Sequence, residues 1–321
     1  MTVGNDLDQR TAYYDAAAAL TPYLATTTPH GVFLVHTADQ HVGRTLFGKQ
    51  ARGDMGVLGR AVRILEALSG RGAIRGTTFL DAGANIGTTT VPAIVSNGFA
   101  RAFSFEPEAE NFRTLKLNLI ANDVDDRVSA MNVALSNEVG SIELAVNPSR
   151  SGMHWVISDD SQLETARHAG AVVTVPTLTL DSLIADGHFE ATDVGLLWMD
   201  AQGHEGHILR GAQQLVSRGV PLALEWDPAG LDQVGDRAVI QAIAVEHYTH
   251  FVDLGGNGDA EGPRYLLRPS AELPDYSEQF LDEGGRSGFT DVLVVRLAAE
   301  QLPAGGLERA LMKRRRVASE D

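Results

Sequence analysis

The stretch Thr78-Phe79-Leu80-Asp81-Ala82-Gly83-Ala84-Asn85-Ile86-Gly87-Thr88 decides the fold. A short apolar run ends in an acid, a glycine-punctuated turn follows, and the chain then reads as a helix. Such a turn between strand and helix brings backbone close to a ligand at the helix N-terminus. The spacing is D-x-G-x-x-x-G rather than the G-x-G-x-x-G of dinucleotide sites. Asn85 stands where a glycine would let a pyrophosphate approach. Asp81 at the strand end repels phosphate oxygens and suits a cation. No G-x-x-x-x-G-K-[ST] pattern occurs, which removes a P-loop nucleotide site.

The next apolar run, Phe103-Ser104-Phe105-Glu106-Pro107, ends in a second acid. An acid at the tip of a second strand is placed to accept hydrogen bonds from both ribose hydroxyls. The two acids together ask for a nucleoside with a ribose, a positive charge and no phosphate. S-adenosylmethionine has all three, through its ribose, its sulfonium and its α-ammonium. An NAD-dependent oxidoreductase is the competing reading, and Asp81 and Asn85 argue against it.

Further out, short β-rich runs alternate with helical segments. Strands are expected at 78–81, 102–106, 128–134, 194–200, 221–226, 248–254 and 291–297, and helices at 87–97, 109–121, 204–218 and 236–246. This alternation predicts an α/β fold: a doubly wound, mostly parallel seven-stranded sheet covered on both faces. Runs 140–146 and 172–178 break the pattern and predict extra strand pairing after the third main strand. Residues 1–75 read as an N-terminal accessory layer, with helices at 12–24 and 56–68 and a hairpin of 32–36 with 41–47. The main domain then spans 76–300. Within it, 255–290 is rich in Gly, Pro and acids and reads as a lid or substrate loop. Residues 301–321 form a charged tail carrying Lys313-Arg314-Arg315-Arg316.

Composition narrows the function. The 321 residues hold 26 Lys+Arg against 42 Asp+Glu, a net charge of −16, with 44% apolar and 21% charged residues. That balance is globular, and it argues against a nucleic-acid partner, which needs clustered cations. Without cysteine there is no disulfide scaffold, thiolate nucleophile or thiolate zinc site. No apolar run is long enough to span a membrane, and the N-terminus lacks a secretory pattern. A cytoplasmic protein without a membrane partner is the expectation, and nothing in the sequence supports an oligomer.

Five blocks resemble the FkbM family of class I S-adenosylmethionine-dependent methyltransferases, in its order and spacing. They are FLDAGANIGTTT (79–90), FSFEPEAENFRTLKLNL (103–119), NVALSN (132–137), TLTLDSLI (177–184) and WMDAQGHEGHILRGA (198–212). The last block is usually written with D-x-E-G-x-E, and Gln202 stands here for the first Glu. The resemblance implies a Rossmann-like fold, methyl transfer and S-adenosylmethionine as cofactor. It places cofactor contacts at Asp81, Gly83, Ala84, Asn85, Gly87, Thr88, Glu106 and Pro107, at Asn132, Val133 and Ala134 beside the adenine, and at Asp200 beside the methionine moiety.

Strand-end acids Asp81, Glu106, Asp200 and Glu225 should surround one crevice, since ligands of open α/β sheets bind at the strands' carboxyl ends. The expected chemistry has Asp200 orienting the acceptor and His204 taking its proton. His207 shares a helix face with His204, but no ligand spacing in this segment supports a metal. The loop 148–155 is a second candidate to close over the cofactor. The leading expectation is O-methylation of a hydroxyl on a small molecule or glycan. The alternative, which Gln202 keeps open, is a non-catalytic nucleoside-binding protein of the same fold.

Overall fold

The computed structural model describes residues 3–147, 149–157, 160–168, 171–255, 257–259, 262–281, 288–303 and 306–317. The chain begins with α1 (Val3–Ala17), a hairpin of β1 (Tyr23–Thr28) and β2 (Gly31–His36), α2 (Val42–Lys49) and α3 (Gly53–Ser69). There follow β3 (Thr78–Ala82), α4 (Thr90–Val95), β4 (Arg101–Phe105), α5 (Ala109–Ala121) and β5 (Val128–Met131). Then come β6 (Ala134–Leu135), β7 (Gly140–Ala145), β8 (Trp155–Val156), α6 (Asp160–His168), β9 (Val172–Leu178) and α7 (Leu180–Ala185). The second half holds β10 (Val194–Met199), α8 (Glu205–Arg210), α9 (Gln213–Arg218), β11 (Leu222–Trp226), α10 (Pro228–Gln233), α11 (Asp236–His247) and β12 (His250–Asp253). It closes with the hairpin β13 (Asn257–Asp259) and β14 (Gly262–Arg264), β15 (Arg268–Pro269), α12 (Leu273–Ser277), β16 (Thr290–Val295) and α13 (Gly306–Val317).

The main sheet runs β15-β12-β16-β11-β10-β3-β4-β5. Strands β5, β4, β3, β10 and β11 are parallel, and β16 is antiparallel to both of its neighbours, β11 and β12. The order reverses between β3 and β10, and crevices for ligands form at such switch points. All seven expected strands are present. A two-residue eighth, β15, comes from the segment expected to be a lid.

Strand alternation sorts the core into two layers. Phe79, Trp198, Ala223 and Leu293 face one layer, and Leu80, Leu197, Leu224 and Val292 face the other. The first layer is shared by residues 1–75 with α4 (Val91, Ile94) and α5 (Leu115, Leu119). Helix α3 buries Met55, Leu58, Ala61, Val62, Leu65 and Leu68, an i, i+3, i+4 stripe that lies on the sheet. The N-terminal segment thus covers one face of the sheet together with α4 and α5.

Several local expectations are corrected. The expected helix 12–24 ends at Ala17, because Pro22 cannot continue it and the β-branched run Thr26–Thr28 extends as β1. The hairpin pairs β1 with β2, and 42–47 is instead part of α2, with His41 just before it. The Asp39 carboxylate accepts from the amides of His41 and Gly43 (2.9 and 2.6 Å), which starts that helix. The third strand stops at Met131, and Ala134–Leu135 joins a separate sheet ordered β6-β9-β7-β8. There β7 pairs antiparallel with β9, the extra pairing expected. The expected helix 204–218 breaks at Gly211, where a Cβ would lie 2.2 Å from the Ser136 carbonyl oxygen. Residues 148, 256, 260–261 and 282–287 of the two loops, and 304–305 and 318–321 of the tail, lie outside the described residues.

Candidate active site

A cavity of about 540 Å³ opens at the carboxyl ends of the parallel strands, within the usual range for small-ligand sites. Its walls hold Gly83, Asn85 and Thr88 from the turn after β3, Glu106 and Pro107 after β4, and Val133 and Ala134 after β5. Asp200, Gln202 and His204 follow β10, and Glu225 lies on β11. The loop Ser151–His154 supplies another wall, while His41, Arg52, Asp54 and Val57 come from the N-terminal segment. Of the expected site residues, Asp81, Ala84, Gly87 and Asn132 are not on the cavity wall.

The turn is built by unusual backbone. Gly83 has φ +84°, and a Cβ there would lie 1.9 Å from the Asp200 carbonyl oxygen. Glycine at 83 therefore lets the ends of β3 and β10 meet, which packs the crevice floor. Asn85 takes φ +50°, a left-handed conformation that asparagine tolerates better than most. Its side-chain amide donates to the Ser151 carbonyl (2.7 Å), and its backbone N–H donates to Glu106 Oε2 (2.8 Å).

Asp81 lies beneath this turn, fully buried. Its Oδ2 accepts from the hydroxyls of Thr89 (2.7 Å) and Thr90 (2.5 Å), and its Oδ1 has no partner. Burial pushes its pKa up to about 7. Glu106 is also buried but faces the cavity. Oε2 takes the Asn85 amide, Oε1 takes that of Glu108 (2.9 Å), and burial raises its pKa to about 8. The Asn111 side chain bonds this carboxylate as well, which leaves it acceptor capacity for one further donor. Asn132 donates to the carbonyls of Glu106 and Pro107 (2.8 and 2.9 Å), fixing the strand tip from behind.

The opposite wall is acidic. The Gln202 amide donates to Asp200 Oδ1 (2.8 Å) and Glu225 Oε2 (3.1 Å), so it bridges two carboxylates. Its φ of +52°, followed by +96° at Gly203, folds the turn back over the strand ends. Burial raises the pKa of Asp200; burial and the Asp200 charge push Glu225 up to about 9. Asp291 on β16 is pushed by burial to about 7. Asp54 accepts from the Thr88 hydroxyl (2.7 Å) and pairs with Arg52 (3.4 Å). Phe289 lines the cavity while 69% exposed, beside these acids.

His204 is buried at the wall. Its Nε2 lies 3.0 Å from the Ser136 hydroxyl, and its ring stacks on His207 at 4.4 Å. His207 Nδ1 is 2.9 Å from Asp236, which also binds Arg210. Burial lowers the pKa of His204 to about 4, so the ring is neutral near pH 7. Among the described residues, no cluster of His, Asp and Glu could hold a metal ion.

The sequence alone did not single out Asp54, Arg52, Asp291 or Phe289. Asp291 had a usable signal: a last strand running antiparallel starts where the parallel strands end. Asp54 and Arg52 had none, because only tertiary packing brings α3 to the crevice.

A family model described as the methyltransferase FkbM domain matches residues 81–255, more than half of the chain. The chain belongs to the FkbM methyltransferase family. Its cofactor is S-adenosylmethionine, and the residues fit it: Glu106 faces the cavity with acceptor capacity left for a ribose donor, and the acidic wall suits a cationic group. The FkbM methyltransferase of Methylobacillus flagellatus KT is similar at 15% identity and TM-score 0.38, over 72% of this chain and 47% of that one. This chain thus spans about half the length of that protein. An O-methyltransferase from Bacillus cereus in complex with SAH is similar at 13% identity and TM-score 0.34, over 91% of each chain. A precorrin-6y C5,15-methyltransferase from Geobacter metallireducens is similar at 13% identity and TM-score 0.35, over 74% of this chain and 87% of that one. No curated protein matches the chain. No helix among the described residues is long and apolar enough to cross a membrane.

Proposed function

We propose that this methyltransferase acts on a hydroxyl oxygen of a small molecule or glycan. The observation that carries the reading is the pair Asp200 and Glu225, bridged by Gln202 in the cavity with their pKa values raised. Bound S-adenosylmethionine supplies an activated methyl group. What remains for the protein is to align the acceptor and take its proton.

A carboxylate suits a hydroxyl acceptor better than an amine. Among acids such as Asp200 and Glu225, an amine takes a carboxyl proton and is held as ammonium, which has no lone pair to attack with. A hydroxyl instead donates to a carboxylate, which then accepts the proton as the new C–O bond forms. A carboxylate whose pKa burial has raised, as at Asp200, is the stronger base toward that proton. The exposed Phe289 beside Asp291 adds an apolar platform to these acceptors, a combination suited to a ring bearing hydroxyls. Acidic walls repel phosphates, which argues against a nucleic-acid acceptor.

Glu106, with Asn85 and Pro107 beside it, holds the ribose in this reading, and Val133 and Ala134 border the adenine. Asp200 orients the acceptor and takes its proton. His204 is the other proton acceptor in reach, but a pKa of about 4 and the bond to Ser136 make it the weaker base. The test is turnover of labelled S-adenosylmethionine against matched panels of polyols, sugars and amines. Methylation of hydroxylated acceptors supports the reading, and transfer confined to amines overturns it.

A further inference from the structure

We propose that Asp39, in the N-terminal segment, is a positioning residue for cofactor binding and acts through Ser151. The proposal rests on the reading that S-adenosylmethionine occupies the cavity. Ser151 lies in the loop that forms one cavity wall, and it is held from two sides.

On the N-terminal side, its hydroxyl donates to Asp39 Oδ2 (2.6 Å) and its backbone N–H to Asp39 Oδ1 (3.2 Å). The neighbouring Ser149 carbonyl accepts from the Gln40 amide (2.8 Å). A Cβ on Gly152 would lie 3.0 Å from the Val42 side chain and 3.2 Å from that of His41, so the loop sits flush on α2. Asp39 itself is buried, and the Tyr14 hydroxyl fixes its carbonyl at 2.7 Å.

On the nucleoside side, the Ser151 carbonyl accepts from the side-chain amides of Asn85 (2.7 Å) and Asn111 (2.9 Å). The backbone amide of that same Asn85 holds Glu106. Asp39, Ser151, Asn85 and Glu106 therefore form a continuous chain of hydrogen bonds from the outer layer to the ribose site. Tied at both ends in this way, the wall is held in one arrangement. Breaking that tie lowers the fraction of molecules with the wall in place, and the apparent dissociation constant rises by that factor.

A plainer role for Asp39 is to cap α2 through His41 and Gly43. Ser151→Ala separates the two, because it leaves both capping bonds intact and removes only the charge-assisted bond to the loop. We expect S-adenosylhomocysteine to bind this variant about tenfold more weakly, with the loss falling on the apparent association rate. The melting temperature should stay near that of the wild type, and Ser151→Thr, which keeps the hydroxyl, should recover most of the affinity. Calorimetry and stopped-flow association on the full chain measure both. Equal affinity in wild type and Ser151→Ala overturns the proposal alone. A wild type that does not bind S-adenosylhomocysteine at all overturns the underlying reading, and the proposal with it.

Discussion

Replacing Glu106 by Gln tests the ribose site in a way the structure makes quantitative. Both carboxylate oxygens already hold backbone amides at 2.8 and 2.9 Å, so the Gln amide must face one N–H with another. That lost bond should cost about 1–3 kcal/mol of stability. The effect on ligand is separate and depends on pH. Burial holds the free carboxyl near 8, so at about pH 6 it is protonated and resembles Gln. At about pH 9 it is ionised, and ribose hydroxyls donate to a charge, worth roughly 1.5–3 kcal/mol or ten- to hundredfold in affinity. The ratio of variant to wild-type dissociation constants for S-adenosylhomocysteine should therefore climb from a few-fold at about pH 6 to that range at about pH 9. Ribose donors also pull the carboxyl pKa down, so binding near pH 7 releases protons and the heat depends on the buffer. Calorimetry in two buffers at each pH reads both effects. A ratio near one at about pH 9, or a large ratio that ignores pH, refutes the assignment of Glu106.

Three further outcomes follow from the same geometry. Gly83→Ala forces a left-handed residue and a Cβ 1.9 Å from the Asp200 carbonyl, so urea unfolding should show a loss of roughly 2–5 kcal/mol; a loss below about 1 kcal/mol contradicts the packing. Glu225 has a folded pKa raised to about 9, so its contribution is complete below the ordinary value near 4.5 and disappears as pH rises through about 9. The melting temperature of Glu225→Gln should accordingly gain on the wild type between about pH 6 and pH 9, and a constant difference argues against the raised value. Asp200→Asn should lower turnover by about 10²–10⁴-fold, as for loss of a general base, while His204→Ala costs far less rate and mainly stability; the reverse ranking moves the base to His204.

Much of this site was legible because its parts lie at strand ends, where a short apolar run followed by an acid is visible in one dimension. Glu106, Asp200 and Glu225 are such residues, and all three line the cavity. Asp81 has the same signature, yet the turn folds over it and the hydroxyls of Thr89 and Thr90 take its oxygen. Sequence gives the strand end but not which side of the turn the carboxylate falls on. Gly83 was legible as necessary, although its reason is the nearby Asp200 backbone.

The N-terminal layer was the least legible part. Helix α3 shows its stripe plainly, but nothing local says that Asp54 at its start meets Thr88, or that Asp39 meets Ser151 112 positions away. Those contacts depend on how the layer lies across the sheet. Gln202 carries a similar lesson. As a letter it reads as a lost charge, whereas in place its amide supplies the donor that two adjacent carboxylates need.

The most direct test of the central claim is a crystal structure of the protein soaked with S-adenosylhomocysteine. The ribose hydroxyls should lie within hydrogen-bond distance of the Glu106 carboxylate, the adenine should rest beside Val133 and Ala134, and the sulfur should point toward Asp200 and Glu225. A ligand seated elsewhere, or in the cavity with its ribose away from Glu106, would contradict the account.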